Sequence, residues 1–222
     1  MATILRSLSY RYQWLYDSIS AVAALSVGGI GRFHRLPLAD LPLGREANVL
    51  DLCCGCGQAT QVLVQHFDRV TGLDASPRSL GRAQAQVPQA HYVQGFAEAM
   101  PLEAEQFDLV HSSAALHEME PEQLRQILRE IHRVLKPQGY VTLLDFHPPQ
   151  TPFLWPGLAL FFWLFETETA WQFLEADLGH RLGDLGFGNC RQRLYAGGSL
   201  QVLQAQKQGG GGLGGGGLGG DR

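Results

Sequence analysis

The stretch Val49–Gly57 (VLDLCCGCG) concentrates the chain's chemistry: a carboxylate at Asp51, thiols at Cys53, Cys54 and Cys56, and glycines at Gly55 and Gly57. Two glycines between an apolar run and a helix let a ligand approach the backbone where any Cβ would obstruct it. The dinucleotide-binding fingerprint has a third glycine where this chain has Thr60, and it has no acid before the first glycine. With Asp51 so near, a pyrophosphate is a poor match and a cationic ligand a good one. A second carboxylate, Asp74 in GLDAS, closes the next apolar run. It lies at the spacing, about 20 residues past the glycine turn, where an acid accepts hydrogen bonds from ribose hydroxyls. Either feature alone is weak, since a strand-terminal Asp is often a helix cap. In this order and spacing they reinforce each other.

Other reactive residues carry open alternatives. His111, His117 and Glu118 follow the fourth apolar run, with His147 at the end of the fifth. His117 is the first candidate for a base and His111 the second, against the reading that His117 caps or packs its loop. Glu130 and Arg133 read as a solvated helix face or an ion pair. The three clustered cysteines lack a second Cys/His pair at zinc spacing. We expect no metal there, with the thiols filling small positions in a tight turn.

These residues need a frame. Short apolar runs at NVLDLCC, DRVTGLD, AHYVQG, FDLVHSS and GYVTLLDF read as strands. They alternate with helical spacing over 58–66, 76–86 and 121–135, the last ended by Lys136-Pro137 and Gly139. A further helix is expected over 176–185, then an antiparallel pair over 189–195 and 200–206 turning at Gly197-Gly198. The expected fold is α/β: a Rossmann-like, mostly parallel sheet with helices on both faces and a C-terminal antiparallel hairpin. Ligands then sit beyond the carboxyl ends of the strands, at a switch in strand order.

On VLDLCCGCG, GLDAS, VQGFAEAMPLEAEQFDLV and REIHRVLKPQGYVTLLDF, residues 48–145 resemble the class I S-adenosylmethionine-dependent methyltransferases. The similarity is to the type 11 branch that includes the ubiquinone/menaquinone biosynthesis C-methyltransferases. The resemblance implies S-adenosylmethionine as methyl donor, with its amino-acid moiety on the loop from Asp51 through Gly55 to Gly57. It also implies the ribose on Asp74, next to Ala75, and the adenine beside the turn at Phe96 and Ala97. Relatives usually carry an acid where this chain has Phe96. The implied acceptor is a small lipophilic molecule such as a quinone or prenylated aromatic. A polar small molecule or protein as acceptor is the alternative, as is a non-catalytic S-adenosylmethionine-binding partner protein.

Three parts are expected: an N-terminal extension (1–44) whose Tyr10, Tyr12, Trp14, Tyr16 and Phe33 could cap the site, a methyltransferase domain (45–207), and a flexible glycine-rich tail (208–222). A net charge of −4 gives no basic footprint for nucleic acid. Four cysteines in this arrangement are no disulfide framework, and Met1–Tyr16 reads as no leader, so a cytoplasmic protein is expected. The apolar segment 151–165, with Pro152 and Pro156 at its start, is shorter than a spanning helix needs. It is expected to be a buried helix or a lid, with peripheral membrane contact through 153–165 as the next reading.

Overall fold

The computed structural model describes residues 27–165 and 168–209. Tyr10, Tyr12, Trp14, Tyr16 and all of the glycine tail beyond Gly209 lie outside the described residues. In chain order the elements are α1 (Ile30–Phe33), β1 (Asn48–Leu52), α2 (Gln58–His66), β2 (Arg69–Asp74), α3 (Pro77–Gln86), β3 (His91–Gln94) and β4 (Phe107–Ser113). Then follow α4 (Pro121–Val134), β5 (Leu135–Phe146), α5 (Trp155–Phe165), α6 (Glu168–Leu174), α7 (Leu178–Asp184), β6 (Phe187–Tyr195) and β7 (Leu200–Lys207).

The strands form one sheet in the order β3-β2-β1-β4-β5-β7-β6. The first five strands run parallel, and β7 lies antiparallel between β5 and β6. Near-continuous burial of β1 and β4 is what a strand covered on both faces requires. On one face α4 packs Leu124, Ile127, Leu128 and Ile131 over Leu50, Leu52, Val110 and Leu143, joined by Phe173 of α6 and Leu182 of α7. The opposite face carries Val49, Val70 and Leu109 under Leu63 of α2 and Phe67, edged by Leu38 and Leu41. The strand order switches between β1 and β4, with β2 and β3 laid out on one side and β4 and β5 on the other, so the ligand crevice is expected at their carboxyl ends.

Local chemistry sets several boundaries. Ser76 caps α3 by accepting from Ser79 N at 3.2 Å, with Pro77 in the first turn. The α4 boundary differs from the sequence expectation. Its helix stops at Val134, and Leu135 pairs with Phe107 before a register break, so β5 takes in the Lys136–Gly139 breaker. Buried Lys207 helps fix this junction by donating Nζ to His132 O (2.8 Å) and Leu135 O (2.7 Å), a cation where the helix C-terminus exposes carbonyls. The expected 176–185 helix begins later, at α7, where Asp177 accepts from His180 N at 2.9 Å. The α6 helix before it has no counterpart in the sequence reading.

The apolar segment is packed on one side only. Phe162 is fully buried, its ring 4.9 Å from Phe146 and 5.2 Å from Trp171, whereas Phe153 and Trp163 are 88% and 70% exposed. It is neither wholly core nor wholly surface, because one 11-residue helix without a charged side chain has apolar groups all round. Among the described residues, no helix is long and apolar enough to cross a membrane.

Candidate active site

A cavity of about 390 Å³ opens at the β1/β4 crevice. Its walls come from the glycine loop (Asp51, Cys53–Cys56), the β2 end (Asp74–Ser76), α3 (Arg78, Arg82), the β4 end (Ser113–Ala115), Glu118, Met119 and His34. Asp51 and Asp74, predicted to act together, therefore face one cleft, with Gly55 and Ala75 between them.

The loop is held by β2. Cys54 N donates to Leu73 O (3.0 Å), Gly55 N to Asp74 Oδ2 (2.9 Å), and Gly57 N back to Cys54 O (2.9 Å). Asp74 Oδ1 accepts from Ser76 N (2.9 Å), so each oxygen is fixed by one backbone donor and retains acceptor capacity for a sugar hydroxyl. The two glycines do different work. At Gly55 (φ +54°) an added Cβ would meet no protein atom within 4 Å, which leaves that space to a ligand. At Gly57 (φ +88°) it would press on Ala83 Cβ at 3.2 Å, so this glycine serves the contact of α2 with α3. Cys54 is buried with its Sγ against Gly72, and burial pushes the Cys53 and Cys54 thiols well up. Among the described residues, no group of three or more His, Cys, Asp or Glu side chains is placed to hold a metal ion.

Asp51 is 1% exposed and accepts from Thr60 Oγ1 at 2.6 Å, which explains why Thr stands at the third-glycine position. Burial pushes its carboxyl up to about 7, offset in part by the Thr60 hydrogen bond and aided by the Asp74 charge. The unfolded carboxyl ionises near 3.8, so Asp51 stabilises the ligand-free fold below pH 4 and this contribution, on the order of 4 kcal/mol, is lost as pH rises through 7. A cationic ligand reverses that preference by stabilising the carboxylate. We expect S-adenosylmethionine affinity, measured by calorimetry, to rise by up to tenfold per pH unit to about pH 7 and then level off. Asp51→Asn should flatten the profile; an unchanged slope in that variant would remove Asp51 from the ligand's charge balance.

The other predicted residues are placed unevenly. Phe96 is 64% exposed, Ala97 is buried, and neither lines the cavity. Their turn is tied to α4 rather than to solvent: Glu130 Oε2 accepts from Met100 N (2.8 Å), while Arg133 donates to Met100 O (3.1 Å), Leu102 O (2.8 Å) and Glu130. Glu130 and Arg133 are thus a loop clamp, and their mutual bond holds the Glu130 carboxyl below its usual range. His111 is fully buried on the sheet face, Nδ1 3.1 Å from Thr142 Oγ1, and burial pushes it down to about 3. Like His117, it does not line the cavity. His147 Nδ1 is engaged with Pro148 O and Gly198 O.

His117 does not itself line the cavity, although the following Glu118 and Met119 do. Its Nδ1 is 2.7 Å from Asp145 Oδ1, with both side chains no more than 5% exposed. Asp145 also accepts from the backbone N–H of Leu116 (2.9 Å), His117 (3.3 Å) and Phe146 (2.8 Å). The imidazole makes T-shaped contacts with Phe146 (4.7 Å) and Phe173 (6.5 Å). His117 thus packs its loop and is paired with a carboxylate. Sequence reading missed Asp145 and also His34, whose 8% exposed side chain reaches the cavity from the N-terminal segment. Asp145 is one apolar-run residue among several; its partner is visible only once β5 lies beside the 116–118 turn.

A parallel sheet with an acidic, glycine-lined crevice at its switch point defines a nucleoside-binding α/β protein of Rossmann type. Residues 49–139 match the methyltransferase domain family. Over 93% of this chain and 97% of its own length, an uncharacterized methyltransferase of Synechocystis sp. is 56% identical. A 2-phytyl-1,4-naphtoquinone methyltransferase of Thermosynechococcus vestitus is 32% identical over 67% of each chain. A malonyl-[acyl-carrier protein] O-methyltransferase of Enterobacter lignolyticus is 39% identical over 46% of this chain and 40% of its own. Among solved structures, an S-adenosylmethionine-dependent methyltransferase from Mesorhizobium loti shares the fold, with a TM-score of 0.62, 20% identity, and coverage of 82% of this chain and 99% of that one. The chain belongs to the S-adenosylmethionine-dependent methyltransferases. The cavity suits that donor, with two carboxylates for a cationic nucleoside and an open space at Gly55.

Proposed function

We propose that this enzyme methylates a flat, lipophilic acceptor of the quinol or prenylated-phenol class, and that His117, oriented by Asp145, takes the acceptor's proton. The buried His117–Asp145 pair among aromatic rings carries this reading. Phe146 links it to Phe161 (5.9 Å) and Phe162 (4.9 Å), so apolar rings run from His117 to α5. The quinone methyltransferase relative supports the same acceptor class.

The chain's residues divide the work. Asp51, the Gly55 loop and Asp74 hold the donor, which supplies an electrophilic methyl on a sulfonium. Methyl transfer is an in-line displacement, so much of the rate comes from positioning the acceptor against that face. A phenolic or ring-carbon acceptor must also lose a proton. With Asp145 accepting the Nδ1 proton, the imidazole is held in one tautomer, and Asp145 stabilises the imidazolium that forms when the ring takes the acceptor's proton. The surrounding rings exclude water. The exposed face at Phe153, Leu160 and Trp163 is where such an acceptor would be taken up from a bilayer surface, Trp being suited to that interface.

The test is S-adenosylhomocysteine formation across acceptors, lipophilic ones offered in phosphatidylcholine vesicles. Quinols and prenylated phenols should turn over, and the protein should sediment with the vesicles. Turnover confined to polar acceptors overturns the reading, donor binding without turnover on any acceptor favours a non-catalytic role, and protein left in the supernatant removes the membrane contact.

A further inference from the structure

From Pro148 to Phe165 the chain carries no charged side chain, and much of that stretch faces outward. Phe153, Trp155, Leu160 and Trp163 are exposed, while Phe162 turns into the protein. Large apolar groups gathered in this way on a surface mark an interaction site. The 11 residues of α5 are too few to span a bilayer, but they are enough to lie along its headgroup boundary.

What adjoins the patch indicates its occupant. The turn between β6 and β7 holds the start of the apolar segment: Gln150 N and Thr151 N donate to Gly197 O at 3.1 and 3.2 Å. Leu154 packs so closely on Gly197 that a Cβ there would have no room. The same turn also meets α1, because Phe33 packs with Tyr195 and Ala196 on the cluster of Leu36, Leu144, Leu200 and Val202. One turn therefore ties the start of α5 to the segment that carries Arg32 and Arg35. Both arginines are exposed, and neither is ion-paired among the described residues. Asp40, the acid that follows them, is engaged by Arg193, and exposed Glu168 begins α6, beyond the far end of α5. Two such guanidinium groups and a row of apolar rings complement a surface that is negative at its headgroups and apolar beneath. His34, between the two arginines, lines the cavity, so this edge of the sheet is also the one on which the site opens.

We propose that Phe153, Trp155, Leu160 and Trp163 seat this edge on a bilayer, and that Arg32 and Arg35 select anionic lipid headgroups there. The proposal rests on the membrane contact of the acceptor reading and adds the charge of the surface, with no turnover required.

Sedimentation of the full chain with vesicles tests it, using phosphatidylcholine alone and an equal mixture of phosphatidylcholine and phosphatidylglycerol. Wild type should bind the mixed vesicles about 10- to 30-fold more tightly, the gain expected for two arginines near an anionic surface. High salt should remove that gain by screening. The double variant Arg32→Gln, Arg35→Gln should lose the gain at unchanged melting temperature while binding phosphatidylcholine as wild type does. The double variant Phe153→Ser, Trp163→Ser should bind both kinds of vesicle more weakly. Equal affinity of wild type for the two vesicles, or an undiminished gain in the arginine variant, overturns the proposal. So does a dimer in solution that Phe153→Ser, Trp163→Ser dissociates, with no binding to either vesicle, which would assign the face to a second copy of the chain. Selective binding to the mixed vesicles with turnover of polar acceptors alone would overturn the acceptor class and uphold this proposal.

Discussion

Gly55→Val leaves the sheet folded and lowers S-adenosylmethionine affinity by more than about 100-fold, on the order of 3 kcal/mol. Two facts set this expectation. The Gly55 backbone sits at φ +54°, a region where a β-branched residue is strained by about 1–3 kcal/mol. An added Cβ would meet no protein atom within 4 Å, so the group it displaces is the ligand. Gly57→Val should fail in the opposite way. Its Cβ would approach Ala83 Cβ at 3.2 Å and Cα at 3.3 Å, forcing α2 from α3, so the melting temperature should fall first. Calorimetry and thermal melts on both variants separate the two roles. Wild-type affinity in Gly55→Val would mean that the donor does not pass this loop, and the site would have to be placed elsewhere.

His117→Gln should lower kcat by about 100-fold to 10,000-fold with the donor's dissociation constant unchanged, the range for losing a positioned general base. The glutamine side chain keeps much of the imidazole's volume but cannot accept and carry a proton. Asp145→Asn makes a sharper comparison. It keeps the shape of a residue that is 2% exposed, but turns one oxygen that now serves His117 or the backbone into an amide donor. The imidazole then loses the acceptor that fixes its tautomer, and kcat should fall by a similar factor. Unchanged kcat in His117→Gln would return His117 to a packing role, with its backbone and ring bonds to Asp145 as sufficient reason for its burial.

The cleft lined by Asp51, Gly55 and Asp74 was legible in the sequence because its constraints are local. Asp51, Gly55 and Gly57 fall within seven residues, and the strand before them and helix after them show by period alone. Asp74 follows at the spacing of one βαβ unit. Phe96 and Ala97 were read from the same kind of local resemblance, yet their turn does not line the cavity. Its position is set by a clamp from Glu130 and Arg133, about 30 residues further on, and no local pattern reports such a bond.

Residues whose roles depend on distant partners were read poorly or missed. Asp145 is an ordinary acid in a buried run until parallel pairing of β4 with β5 sets it under the Leu116–Glu118 turn. His34 gains a role only when Gln204, near the other end of the chain, anchors Pro37 and Ala39. The α6 helix was overlooked because seven residues are too short for periodicity to show. Segment 151–165 defied a single reading because an apolar helix without a polar face does not announce which side is buried.

The sequence by itself determined the α/β frame, the glycine loop and the pair of acids that mark a nucleoside cleft, since periodicity, backbone freedom and short spacing are properties of neighbouring residues. Only the tertiary structure decided that His117 pairs with Asp145, that His34 lines the cavity, and which face of the apolar helix meets solvent. Those outcomes come from pairing between segments far apart in the chain, whose energy depends on burial and geometry that no single segment contains.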